Sequence, residues 1–385
     1  MSSEEQNSSL IKTNTGLQRV NQQIAITNKL LQTIDPILIP YRKKDKWGFC
    51  TPDKKIVIDC IYDEVKRFYE GFAAVKINNR WGFINKAGIE VIPCIYNGFP
   101  STSTPGPFND GLAIVALNGK KSGYIDKTGK QVLPFIYRSV SPFSEGLALV
   151  HLSGEGLGFI DKNGKEIISC FYNEGTSFSE GLACMGLYDE EVREEIWGYI
   201  DITGNEVIPI IYDYAESFSG GLACVEFDKK YGFVDKTGNE IIPLIYDNAE
   251  SFSEGLARVE LNGKYGFVDK TGNEIIPCIY DVAESFSEGL AMILNEKCGY
   301  IDKSGKLIIP CIYDNAHSFS EGLVAVMLNE KWGFINKSGK LIIPYVYDIV
   351  WSFDNGLAKV SPNENAKFVN KYGYIDKNGT EYWED

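Results

Sequence analysis

Few side chains in this sequence are equipped for chemistry, and most of those recur. His151 and His317 are the only histidines, the one side chain that changes charge unaided near neutral pH. His317 replaces the Glu of an Asn-Ala-Glu-Ser-Phe segment (compare Glu250), on a crossover expected to be exposed. His151 follows Val150 at the end of an expected strand. Neither has a Ser or Cys partner in a nucleophile motif, so both read as surface or edge residues. The nine cysteines include five at one repeat position (Cys60, Cys94, Cys170, Cys278, Cys311), and Cys184 and Cys224 share another. A cysteine that recurs in an apolar slot acts as a small hydrophobe. The sequence has neither a CxxC pair nor a Cys/His cluster, so neither a metal nor a cofactor is expected.

Carboxylates recur too. Asp-Lys-x-Gly turns (Asp126, Asp161, Asp235, Asp269, Asp302) resemble fragments of calcium loops but lack the later ligands and the bidentate Glu. Asp opening a turn that closes on Gly is ordinary hairpin chemistry. The Glu of Phe-Ser-Glu-Gly (Glu145, Glu180, Glu254, Glu288, Glu321) and the Asp of Ile-Tyr-Asp could pair as in a glycosidase. A glycosidase needs two unlike carboxylates at one site, whereas these return in nearly every repeat. They are expected to serve fold or solubility, and the chain is expected not to be an enzyme.

The elements carrying these residues form one repeated sentence. An aromatic-Gly-aromatic element, or its substitute, begins at Trp47, Trp81, Ser122, Leu157, Trp197, Tyr231, Tyr265, Cys298, Trp332 and Tyr372, most of them 33 to 35 residues apart. Three longer gaps hold insertions at 97–107, 188–196 and 361–371. Within the copy around Tyr265, residues 255–261 read as a strand closed by an Asn-Gly turn, 264–269 as its return and 274–277 as a third strand stopped by Pro277. The crossover 279–289 holds a short fourth strand or a helical turn. The Leu-Ala-x-Val strand is apolar on both faces in most repeats, with only Arg258 and Lys359 breaking the x position, and the Ile-Ile pair reads as two-sided, so each sheet is covered by the sheets before and after it. The expected fold is all-β: about ten antiparallel meanders of three to four strands stacked face to face, as a propeller-like ring or an open β-superhelix.

The Trp/Tyr-Gly-Phe/Tyr-Ile/Val-Asp-Lys-x-Gly signature, followed by Ile-Ile-Pro, Tyr-Asp and Phe-Ser-Glu-Gly-Leu-Ala, resembles the bacterial WG-repeat (KWG) family over roughly 41–385. The resemblance implies a repeat scaffold of β-strands and no set of active-site residues. The motif's aromatic is missing at Ser122, Leu157 and Cys298, and the last copy ends in Glu381-Tyr382-Trp383-Glu384-Asp385 like a terminal cap.

The head, 1–35, differs from the array at 36–385. Leu10, Leu17, Val20, Ile24, Leu31 and Ile34 follow a 3/4 spacing up to Asp35-Pro36, the pattern of an amphipathic helix with a partly disordered start. Its face Leu17, Val20, Ile24 and Leu31 would cap the first sheet, self-associate or dock on a partner. The head lacks the regions of a signal peptide, and the chain lacks a membrane-length apolar run, so a cytoplasmic location is expected. A net charge of −14 argues against nucleic acid. The partner is expected to be another protein, contacted where repeats differ: Phe99, Pro105, Glu190, Glu191, Arg193, His317 and Trp351, together with Arg67. The alternative is a glycan or cell-envelope ligand stacked on the repeated Trp/Tyr slot, which requires that row to be accessible.

Overall fold

The structure, a computed structural model, describes residues 36–98, 105–117, 121–191, 193–361 and 372–385. The helix expected over 1–35, with Leu17, Val20, Ile24 and Leu31, lies outside the described residues, as do Phe99 and most of the 361–371 insertion. Every regular element among the described residues is a strand. Numbering the units by their aromatic-Gly elements, unit 7 shows the pattern. Its strands are Asn248–Ala249, Leu256–Leu261, Lys264–Asp269 and Glu274–Tyr280, hydrogen-bonded in that order. The two central strands pair antiparallel without a break, from Leu256↔Asp269 to Leu261↔Lys264. The unbroken register follows from the tight Asn262-Gly263 turn, whose residues both have positive φ.

Two expectations need correction in the fourth strand. Pro277 does not stop it: the strand runs on to Tyr280, with its register shifted between Tyr265↔Tyr280 and Phe267↔Ile276. The proline occupies this bulge, where no ladder N–H is needed. Nor is the Ile-Ile pair two-sided. Ile276 is buried, whereas Ile275, like Ile241 in unit 6, is 40% exposed, because the fourth strand is a sheet edge and turns one face outward.

Successive units pack through one recurring contact. Leu222, Cys224, Phe233 and Ile242 of unit 6 cluster with Ala249, Phe252, Ala257, Val259 and Val268 of unit 7. Leu256, Phe267 and Ile276 repeat that role toward Ala283, Phe286, Ala291 and Ile293 of unit 8. Both faces of each Leu-Ala-x-Val strand are therefore buried. Tilted ring pairs such as Phe267–Phe286, 4.8 Å apart, recur from unit to unit and contribute about 1 kcal/mol each beyond their burial.

Nine sheets hold the ten units among the described residues, because the single strand Gln131–Val140 is both the edge of unit 3 and the first strand of unit 4. The array is a closed, propeller-like ring. Trp383–Glu384 pairs in parallel with Ile39–Lys43 of unit 1, and Tyr372, Tyr374 and Tyr382 share a core with Leu38, Tyr41, Trp47 and Phe49. The open superhelix is thereby set aside, and the chain's end supplies a strand of the first sheet.

Candidate functional site

The recurring polar residues are engaged in joining units. Each Phe-Ser-Glu-Gly serine donates its hydroxyl to the next unit's Phe carbonyl, as from Ser253 to Phe286 at 2.7 Å and from Ser287 to Phe319 at 2.7 Å. The glutamate after it accepts the next unit's glycine N–H (Gly289 to Glu254, 2.9 Å) and pairs with that unit's turn lysine (Lys303, 3.1 Å). Glu288 and Glu321 repeat the latch with Lys337 and Lys377. The Ile-Tyr-Asp carboxylates receive the hairpin lysine of the preceding unit, as Asp247 does from Lys230 at 2.6 Å. The Asp-Lys-x-Gly aspartates close their own turns: Asp269 accepts from Thr271 Oγ1 and from the Thr271 and Asn273 amides. These bonds, the Thr271 hydroxyl first, lower its pKa to about 2. No group of three or more His, Cys, Asp or Glu that could hold a metal occurs among the described residues.

The units differ instead at four equivalent positions that converge on the aromatic slot. They are the crossover residue, the x of Leu-Ala-x-Val, the second residue after it, and the slot itself. In unit 7 these are Glu250, Arg258, Glu260 and Tyr265. The Arg258 guanidinium lies 4.8 Å from the Tyr265 centroid, pairs with Glu250 and donates to the Ala283 carbonyl. Unit 6 carries Glu216, Cys224, Glu226 and Tyr231, and unit 9 carries His317, Ala325, Met327 and Trp332. Unit 2 has Lys66, Ala74, Lys76 and Trp81, and unit 10 has Trp351, Lys359, Ser361 and Tyr372. The patch is thus acidic in units 6 and 7 and basic in units 2 and 10.

Units 10, 1 and 2 meet where the ring closes. Arg67 of unit 2 reaches across to unit 10, pairing with Asp354 at 3.0 Å and donating to the Leu357 carbonyl at 3.0 Å. Its guanidinium also lies over the Tyr374 ring. Arg42, 4% exposed, donates to the Tyr372 and Lys44 carbonyls and pairs with Asp385. Both arginines are used in closure. Three lysines around them are not: Lys66 and Lys76 share Glu64, at 2.8 and 3.8 Å. Lys359 sits 3.2 Å from the Tyr372 centroid and 5.0 Å from that of Trp351. Burial, and then the nearby Lys66 ammonium, lower the Lys359 pKa to about 8.

A family model for the WG containing repeat matches nine segments that together run from residue 47 to 365, the first 47–81 and the last 332–365. The chain belongs to the WG-repeat family. No curated protein matches it. Among solved structures, the WG ring is similar to a eukaryotic initiation factor at 11% identity, covering 80% of this chain and 96% of that one with a TM-score of 0.53. A computationally designed protein, Ika8, matches at 13% identity over 72% of this chain and 94% of its own, with a TM-score of 0.41. BamB from Moraxella catarrhalis matches at 11% over 90% and 95%, with a TM-score of 0.35. At these identities only the likeness to the initiation factor bears on the WG ring, and it bears on fold alone.

The described residues singled out from the sequence fall in four places. Trp351, 40% exposed beside Lys359, and Arg67, paired with Asp354, both lie at the seam. His317 is not on an exposed loop: it is half-buried with its ring 4.6 Å from that of Trp332, and burial lowers its pKa. Pro105 is buried and lines a cavity beside Lys66 and Arg67. Glu190, Glu191 and Arg193 are exposed, yet their insertion is largely no loop. It lengthens the unit 5 hairpin into the strands Leu182–Asp189 and Glu194–Asp201, with Asp189 opposite Glu194. The Trp/Tyr slot is buried at Trp47, Trp81 and Tyr372 and half-buried at Trp197, Tyr231, Tyr265 and Trp332, so the row a glycan would stack on is interrupted and only partly accessible. Of the three seam lysines, the sequence marks Lys359 only as a break in the apolar x position, and Lys66 and Lys76 do not stand out in it. Their signal was a lysine standing where units 6 and 7 carry Glu, Arg or Cys.

Proposed function

We propose that this WG ring is a non-catalytic scaffold that binds another protein through the patches where its units differ. The observation that carries the reading is a division of labour. Recurring carboxylates, lysines and serines are bonded between or within units, while unlike charges and aromatics stand at the four-position patches. A catalyst needs a unique, poised polar set, and the seam's singular groups are lysines set beside aromatic rings, two of them ion-paired with Glu64. Nine unpaired cysteines, many in apolar slots, fit a reducing, cytoplasmic setting.

The reading is tested by affinity capture from the native lysate with wild type and with three folded variants: K66Q/K76Q, E250Q/E260Q, and a hairpin shortened across 189–194. A specific protein recovered by wild type and depleted by at least one variant is the expected result. Recovery of the same proteins by all four baits, or of none, would contradict it.

A further inference from the structure

We propose that the seam of units 10, 1 and 2 is a binding site for an acidic peptide segment that carries a bulky apolar side chain. The inference rests on the scaffold reading and names the partner chemistry for one of its patches. The first ground is an imbalance of charge. Among the described residues, Lys66, Lys76 and Lys359 gather around one carboxylate, Glu64, and Glu64 pairs with only the first two. Lys359 has no ion-pair or hydrogen-bond partner among the described residues. Among the described residues its ammonium rests against the Trp351 and Tyr372 rings, and Glu64 acts on it only at longer range. Such a partly desolvated cation gains more from an incoming carboxylate than a solvated one does, because the local dielectric is lower and the desolvation cost has been met in folding.

The second ground is shape. Beside Lys66 and Arg67, where unit 2 turns from the seam toward unit 3, opens a cavity of about 270 Å³ lined by Tyr69, Phe72, Phe83, Pro105 and Pro107. Lys66, which lines the cavity, and Lys76 lie 5.6 and 5.5 Å from the buried Trp81 centroid. Aromatic and proline walls next to ammonium groups suit an apolar side chain flanked by Asp or Glu.

The third ground excludes a polyanion. The two arginines of the seam, whose forked donors would suit phosphate, are already committed to Asp354, Asp385 and backbone carbonyls. The chain's net charge of −14 repels a phosphate backbone. A short carboxylate segment carries enough charge for three lysines and little enough to approach.

The test is fluorescence anisotropy on the full chain with a labelled Glu-Phe-Glu-Glu-Leu-Glu peptide, its counterpart with every Glu replaced by Gln, and a labelled single-stranded RNA hexamer. The acidic peptide should bind best and weaken as salt rises. Its Gln counterpart and the K66Q/K76Q variant should each lose about tenfold in affinity. E216Q, which changes the position in unit 6 equivalent to Lys66, should bind as wild type does, and circular dichroism should show both variants folded. Equal binding of the two peptides, no binding of either, loss in E216Q as large as in K66Q/K76Q, or preference for RNA would each overturn the proposal. A partner captured undiminished by K66Q/K76Q but lost by another variant would remove the seam site while leaving the scaffold intact.

Discussion

At the scale of single residues, two side chains are out of step with their surroundings. Ser122 fills the aromatic slot of unit 3; it is fully buried, and its Oγ has no hydrogen-bond partner among the described residues. A buried hydroxyl without a partner costs about 1–3 kcal/mol. S122A should therefore stabilise the ring by about 1 kcal/mol, read as a higher denaturant midpoint at unchanged slope; a lower midpoint would show that the hydroxyl is satisfied. Lys359 is the second, facing Lys66, Glu64, Trp351 and Tyr372. Its folded pKa of about 8 lies below the ordinary 10.5. Below pH 8 both states hold the proton and folding bears the full cost of a desolvated ammonium. Between pH 8 and 10.5 the unfolded chain keeps the proton while the folded one releases it, so stability rises with pH. K359M should be more stable than wild type at pH 7 by on the order of 2 kcal/mol, with the gap closing toward pH 10.5. Thermal unfolding of both proteins across that range checks the sign.

At the scale of elements, the glycine of the aromatic-Gly signature has a definite cause. A Cβ on Gly266 would stand 2.5 Å from the Ile276 carbonyl oxygen and 2.6 Å from the Cys278 nitrogen. The fourth strand bulges at Pro277 and its backbone passes over this point, leaving no room to shift. G266A should cost about 2–4 kcal/mol, whereas G255A, at φ +91 with nothing within 4 Å of its Cβ, suffers only backbone strain. Chemical denaturation of the two variants should rank them in that order. The hairpin of 256–269 was legible beforehand, because Asn262-Gly263 between alternating strands dictates it. So was the turn role of Asp269, since Asp, Thr and Gly sit at the spacing one turn uses. The fate of Ile275 was not legible: two consecutive isoleucines look alike until a sheet edge exposes one. Pro277 misled for a related reason, since a proline that forbids a ladder bond also permits a bulge. The insertion 188–196 looked like a loop, and only the pairing of Asp189 with Glu194 makes most of it a ribbon.

At the scale of the whole molecule, the ring closes at the place where the proposed peptide site lies. The ten-fold repetition announced a stacked β array, yet ring and superhelix share every local contact, so sequence periodicity could not separate them. What separates them is Arg67 meeting Asp354 and Arg42 meeting Asp385, pairs 287 and 343 residues apart. The same long separations hid the candidate site, because Lys66, Lys76 and Lys359 become neighbours only once the ring shuts. A chain ending at Thr380 loses the strand Trp383–Glu384, the Tyr382 core contact and the Asp385 pair. The ring then opens at the seam, with the apolar faces of units 1 and 10 partly uncovered. Comparing hydrogen exchange in the full chain and in the chain ending at Thr380 tests this most directly. The account predicts faster exchange in 39–50, 64–76 and 357–361, with units 5 to 8 protected as before and loss of the acidic-peptide affinity. Unchanged exchange at the seam, or loosening spread evenly around the ring, would contradict it.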